Sequence, residues 1–148
     1  MLSPIQVRRH WLRKVTFEPL EKQPPEEAYE AQISIKHEKL NDGWSVWLKV
    51  AFGGQAAGKA LHSGEIEFEG IFAVHPKYPE DKTEELVRMN GGAILYGAVR
   101  ELVLTLTARS KHGPFEMPTI DARMFLNPPA KKAAKKSVKR SKPKRKAP

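Results

Sequence analysis

Residues 65–72 read EIEFEGIF, and this stretch decides the fold because carboxylates alternate with uncharged residues from Glu65 to Gly70. Successive side chains of a β-strand point to opposite faces of the sheet. Glu65, Glu67 and Glu69 would therefore share one face, while the apolar residues between them would share the other. The alternation extends over residues 61–74, which predicts a long strand with an acidic face and a buried face.

Three further runs of alternating residues precede this strand. They cover residues 5–17, 29–37 and 44–52, and the last two are separated by Asn41-Asp42-Gly43. Because Asp-Gly readily supplies the positive φ of a tight turn, these two runs predict a β-hairpin.

The connections between the other runs are also marked in the sequence. Three prolines make residues 18–27 a polar connection, and Gly53-Gly54 marks a turn before the last strand. Four consecutive strands with short connections favour an antiparallel meander.

A helix is predicted after the strands. Asp81 can act as its N-cap, with Glu84 three residues on in the arrangement of a capping box. Asn90-Gly91-Gly92 has low helix propensity and would kink or divide the helix. The fold class is therefore α+β, with a four-stranded antiparallel sheet followed by a long helix.

The helical residues 93–109 are apolar on nearly all sides. One side can pack on the sheet, and another side then needs a second chain to cover it. We therefore expect homo-oligomers that form through this helix or the adjoining sheet edge. The residues assigned to that interface are Ile94, Leu95, Val99, Leu102 and Leu106.

The last part of the chain consists of two segments of different composition. Residues 115–126 carry scattered apolar side chains and should lie across the body of the fold. Residues 130–148 contain ten of the chain's 26 Lys and Arg residues and no acid, which leaves 16 basic against 17 acidic residues in residues 1–129. A segment so charged cannot bury enough apolar area to offset its chain entropy. We expect one folded domain, residues 1–129, and a disordered Lys/Arg-rich tail, residues 130–148.

Several classes of function are disfavoured by what the sequence lacks. There is no cysteine, and the five histidines show no i, i+3 or i, i+4 pairing, so we predict neither thiol chemistry nor a metal site. No phosphate loop, nucleotide-binding glycine set or nucleophile motif is present. We therefore expect no enzymatic activity and no cofactor. No apolar run approaches the roughly 20 residues of a membrane helix, so we expect a cytoplasmic protein that is not embedded in a membrane.

Three short stretches resemble a known family when they are taken in order. They are KVTFE at 14–18, EIEFEGIF at 65–72 and ILYGAVREL at 94–102. Their sequences and their order resemble the SecB family of export chaperones over about residues 5–126. The succession of four strands, a long helix and a short apolar terminal segment is also similar to that family, whereas the basic tail stands where the family has an acidic one.

The resemblance implies an ATP-independent holding chaperone, a tetramer built as a dimer of dimers, which binds unfolded polypeptide in apolar grooves and delivers it to the SecA motor ATPase. Glu18 and Glu65 match family positions that contact the motor, while Lys14 stands where the family has an acid. The chain looks like a divergent member that serves a toxin-antitoxin system or an unusual client. The side chains that would line a client groove are Trp44, Trp47, Ile120, Met124 and Phe125.

Three alternatives remain open. Aromatic residues at strand spacing are more often core residues than binding residues, although Trp47 is out of phase with Val46 and Leu48 and would point away from the face that Trp44 shares. The basic tail could instead make the protein an adaptor that binds nucleic acid, the ribosome or another anionic surface. A purely structural dimerisation module is the third interpretation.

Overall fold

The computed structural model describes residues 1–19, 31–52 and 62–126 of the chain. Most of the predicted polar connection at 18–27, the predicted turn at Gly53-Gly54 and the predicted disorder of residues 130–148 lie outside these described residues.

The strands form one four-stranded antiparallel sheet with the order β1-β4-β3-β2. Their bounds are β1 Ile5–Pro19, β2 Ala31–Leu40, β3 Gly43–Phe52 and β4 His62–Val74. β2, β3 and β4 follow one another as a meander, but β1 pairs with β4 along its whole length and not with β2. The prediction of a four-stranded meander is therefore wrong for the first strand. β1 and β4 are the two longest strands, and placing them side by side gives the longest ladder.

The hairpin between β2 and β3 turns at Asn41 and Asp42, and Leu40 pairs with Gly43. Gly43 does not adopt a positive φ, so the reason predicted for this glycine is wrong. A β-carbon at Gly43 would lie 2.6 Å from the carbonyl oxygen of Phe72 on the neighbouring strand. The glycine is required here because the two backbones approach each other closely.

Two irregularities in β1 change which side chains share a face. The register with β4 shifts between Val7 and Arg9 and again between Leu12 and Lys14, so 15 residues of β1 lie opposite 13 of β4. Each β-bulge inserts one extra residue and reverses the alternation beyond it. A simple alternation predicts that all odd-numbered positions of β1 share one face. The two bulges make this prediction wrong. Val7 and Leu12 pair with Phe72 and Phe68 on the helix side of the sheet.

The helical region consists of three consecutive parts. Helix α1 spans Glu80–Leu86, a π-helical turn spans Val87–Gly91, and helix α2 spans Gly92–Thr107. The N-cap position of α1 is Pro79 and no side chain caps it, so the predicted capping box at Asp81 is not formed. The sequence predicted a kink or division at the glycine pair; the structure has a π-helical turn that ends at Gly91, while the backbone stays helical through Gly91 and Gly92.

The helix lies against the middle of the sheet. α2 contacts β3 and β4, and its residues Leu95, Val99 and Val103 are buried. The segment after α2 returns along one side of the helix, where the Tyr96 hydroxyl donates to the carbonyl of Pro118 over 2.8 Å. As predicted, this segment lies across the body, and it ends in a 3-10 helix at Ala122–Phe125.

Two glycines permit the close contact between the helix and the sheet. A β-carbon at Gly91 would lie 3.0 Å from Val46, and one at Gly92 would lie 2.8 Å from the ring of Phe125 and 2.9 Å from Ile35. Since the Phe125 side chain is fully buried, its ring has no free space to move into.

We therefore expect Gly92→Ala to destabilise the fold by roughly 1–3 kcal/mol through overpacking against Phe125 and Ile35. Gly97→Ala in the same helix provides the matched control, because nothing lies within 4 Å of its β-carbon. The control should stabilise the protein by about 0.5–1 kcal/mol through helix propensity. Denaturant unfolding measures both free energies, and equal effects of the two substitutions would contradict the assigned role of Gly92.

Candidate client-binding and docking surfaces

An apolar strip of β1 is left uncovered on the helix side of the sheet. Val7, Leu12 and Val15 are 41%, 41% and 40% exposed. Their partners in β4 face the helix, so these side chains lie on the same face as the core. They remain exposed because α2 lies over β3 and β4, and the C-terminal segment that follows α2 packs on the β2 side of the sheet.

A second row of apolar side chains lies on the side of α2 that the C-terminal segment leaves open. Tyr96 and Arg100 hold the C-terminal segment on one side of α2, where the Arg100 guanidinium donates to the carbonyl of Met117 over 3.0 Å. Ile94 and Leu102 lie on the opposite side of the helix, at i, i+8 spacing. We call this row and the β1 strip together the uncovered apolar surface; its residues are Val7, Leu12, Val15, Ile94, Leu102 and Leu106.

The structure corrects part of the predicted oligomer interface. Leu95 and Val99 are fully buried against the sheet of the same chain, so their side chains cannot reach a partner. Ile94 and Leu106 are exposed, and Leu102 is half-buried. The helical periodicity thus identified apolar residues correctly but could not tell which of them the chain's own sheet covers.

The five predicted client-binding residues do not lie together. Trp44 is half-buried on the helix side, 6.0 Å from the ring of His37, whereas Trp47 lies on the other face, as its phase predicted. Ile120 and Met124 are half-buried on the C-terminal segment, where they pack against the core. Phe125 is 1% exposed and fills the space beside Gly92, so it is a core residue and not a groove residue.

The acidic residues of β4 lie on the outer face of the sheet, which is the face away from α2. Glu65 is held by two lysines, since its carboxylate pairs with the Lys14 ammonium on β1 and lies 3.0 Å from the Lys49 ammonium on β3. Glu69 accepts from the guanidinium of Arg13 at 2.8 Å. Most of the acidic face that the sequence predicted is thus neutralised within the chain.

These ion pairs change the titration of the residues that form them. The hydrogen bond from Lys14, followed by the one from Lys49, lowers the pKa of Glu65. The same contact with Glu65 raises the pKa of Lys14. Because both side chains are partly or largely exposed, water and salt screen the attraction and its contribution to stability is small. Glu18 meets a weaker partner, the Ser63 hydroxyl, at 3.4 Å.

A shallow cavity of about 590 Å³ opens on the outer face around Trp47. We call it the Trp47 cavity; its lining residues are Arg13, Lys36, His37, Glu38, Ser45, Trp47, Glu67 and Glu69. The Lys36 ammonium lies 5.0 Å from the centre of the Trp47 ring, within cation–π distance. Glu38 and Glu67 form no hydrogen bond or ion pair with any of the described residues.

A buried histidine connects three segments at the end of the sheet where β1 ends and β4 begins. His62 begins β4, is 3% exposed and stacks on Phe17 of β1 with ring centres 4.8 Å apart. Its Nε2 lies 3.2 Å from the hydroxyl of Ser110, and the ring of His112 lies 5.8 Å away. Burial lowers the pKa of His62, and the neighbouring charge of His112 lowers it further.

We expect acid to destabilise the protein through His62. Its pKa in the folded chain is below the ordinary value of about 6.5, so the unfolded chain binds a proton first as the pH falls. The free energy of unfolding should therefore decrease from pH 7.5 to 5.5, and His62→Phe should reduce this decrease. His10→Gln, on the exposed part of β1, is the control. Thermal unfolding across this pH range tests the prediction, which fails if both substitutions leave the pH dependence unchanged.

Among the described residues, no three His, Asp or Glu side chains are grouped so that they could hold a metal ion. The same residues contain no helix that is both long and apolar enough to cross a membrane.

The fold and its surfaces define an α+β protein with one four-stranded sheet, one long helix and a broad apolar surface that its described residues leave uncovered. A family model described as "Preprotein translocase subunit SecB" matches residues 3–132. The chain therefore belongs to the SecB family, and the resemblance found in the sequence is confirmed.

Comparison with solved structures agrees on the fold. The SecB-like chaperone Rv1957 of Mycobacterium tuberculosis, in complex with a ChAD peptide from the antitoxin HigA1 (Rv1956), is similar with a TM-score of 0.59 and 18% sequence identity. The match covers 79% of this chain and 91% of that one. A protein of unknown function from Streptococcus agalactiae is also similar, with a TM-score of 0.49, 12% identity and coverage of 78% and 97%. A search of curated proteins found no match.

Proposed function

We propose that this chain is an ATP-independent, cytoplasmic holding chaperone that binds unfolded polypeptide. Membership of the SecB family and the similarity to a SecB-like chaperone support a chaperone role. The observation that carries the proposal is the apolar area that the described residues leave open on the helix side, which comprises the uncovered apolar surface and the half-buried Ile120 and Met124. Apolar patches of this kind mark sites where another polypeptide binds.

The two apolar regions on the helix side suit two different roles. The uncovered apolar surface combines a rigid helix with a long edge strand, which suits a fixed contact with a second copy of the chain. Ile120 and Met124 are only half-buried on the C-terminal segment, which packs beside Ile35 of β2 through Phe125, and they suit transient contact with an extended client. We assign oligomerisation to the first region and client binding to the second, with residues 1–129 as the working unit.

Delivery of clients to a motor such as SecA is a separate step of the proposal. Glu18 and Glu65 are the positions at which a cationic motor segment would dock. The pairing of Glu65 with Lys14 and Lys49 means that docking at this site has to displace two ion pairs within the chain. This geometry favours holding over delivery to the motor.

The holding activity is tested by refolding a chemically denatured client without ATP. A stoichiometric amount of the protein should suppress aggregation, and the double substitution Ile120→Ser with Met124→Ser should remove most of the suppression by removing apolar contact area. Leu104→Ser, which removes an exposed apolar side chain elsewhere on α2, is the control and should retain full activity. If the unmodified protein leaves the client to aggregate, the proposed function is wrong.

The oligomer is tested with two equally exposed leucines of α2. Leu106 is 41% exposed in the uncovered apolar surface, and Leu104 is 42% exposed on another side of the helix. Native mass spectrometry should detect oligomers, with a tetramer built as a dimer of dimers as the expected form. Leu106→Glu should shift the mass toward monomer because it places a charge in the interface, whereas Leu104→Glu should not. A monomeric unmodified protein would contradict the assignment.

A further inference from the structure

The Trp47 cavity has a chemistry that suits a cation. Trp47 forms part of its lining and already has the Lys36 ammonium near its ring, so the ring is placed to accept a positive charge. The carboxylates of Glu38 and Glu67 also line the cavity, and neither forms a hydrogen bond or a close ion pair with a described residue, while Lys14 attracts Glu67 from a longer distance. Arg13, the other basic residue of the lining, is already paired with Glu69. Among the described residues, two carboxylates without an ion pair, against the one unpaired ammonium of Lys36, leave the cavity with a net negative charge beside an aromatic ring.

The chain itself contains a matching segment. Residues 131–146 carry ten Lys and Arg residues and no acid. The segment has no aromatic residue, so an aromatic ring on its binding partner would be the only source of cation–π contacts.

The last described residues lie beside β2, one strand edge away from the cavity. Phe125 packs beside Gly92 together with Ile35 of β2, which is an edge strand of the sheet. Lys36 and Glu38, on the opposite face of the same strand, line the cavity. The 22 residues that follow Leu126 span up to about 70 Å when extended, so they can pass around one strand edge and reach the other face.

We propose that the Lys/Arg-rich segment of residues 131–146 binds in cis to the Trp47 cavity, through Glu38, Glu67 and the ring of Trp47. Binding within one chain gains from a high effective concentration, which compensates for the weakness of each exposed ion pair. The bound segment covers the outer face of the sheet and competes with any other cationic partner for it. The contact weakens as ionic strength rises, because salt screens exposed charges.

A zero-length carbodiimide cross-linker, which joins a lysine amine to a carboxylate only when the two are in contact, tests the proposal on the full chain. In 50 mM salt, lysines of residues 131–146 should link to Glu38 and Glu67, and 500 mM salt should remove most of these links. Trp47→Leu should reduce their yield about five-fold through loss of the cation–π contact.

The control compares two sets of carboxylates of equal size. Glu38→Gln with Glu67→Gln should release the tail lysines, which is measured as an increase in their reactivity toward an amine-acetylating reagent. Glu80→Gln with Glu85→Gln, at two exposed positions of α1, should leave that reactivity unchanged. Equal reactivity changes in the two variants, or links spread evenly over all exposed carboxylates, would overturn the proposal.

An isotope mixture distinguishes the source of the segment. Nitrogen-15-labelled and unlabelled chains are mixed before cross-linking, and the proposed cis contact gives links only within chains of one label. Links between labels would assign the cavity to the tail of a second copy and would overturn binding in cis. Failure of client holding with intact tail links would remove the proposed function but leave this inference standing.

Discussion

The close approach of the helix to the sheet is the constraint on which the rest of the structure depends. Gly91 and Gly92 leave no room for a β-carbon, because Val46 on the sheet and Phe125 on the C-terminal segment lie about 3 Å from where it would be. This contact places α2 over β3 and β4, and the C-terminal segment fills the β2 side. β1 is consequently the strand that the described part of the chain leaves open on its inner face.

The parts of the fold that depend on local sequence could be predicted, and the parts that depend on distant pairing could not. Alternation identified the strands, and the glycine pair marked the end of the π-helical turn, because both signals lie within a few residues. The pairing of β1 with β4 joins residues nearly 70 positions apart, such as Ile5 and Val74, and no local pattern specifies it. The exposed Val7, Leu12 and Val15 were missed for a related reason, since two bulges in β1 shift the phase on which a simple alternation relies.

Strand phase predicted which residues lie on the outer face of the sheet, but it could not predict which residues they pair with. The phase of Trp47 correctly placed its ring on the outer face, and the three glutamates of β4 share that face. The partners of Glu65 could not be inferred from β4 itself, because Lys14 and Lys49 come from the strands on either side. A carboxylate row that looks like a docking site in the sequence is therefore largely satisfied within the folded sheet. In the lining of the Trp47 cavity, Glu38 and Glu67 are the carboxylates that form no close ion pair with a described residue.

The two bulges of β1 have a further consequence for solubility. A long, flat strand at the edge of a sheet is a template on which other chains can stack into fibrils. Bulges increase the local twist of a strand, so this edge offers no straight row of donors and acceptors for such stacking. The protein can thus expose valine and leucine along a free edge while remaining a poor seed for amyloid-like growth.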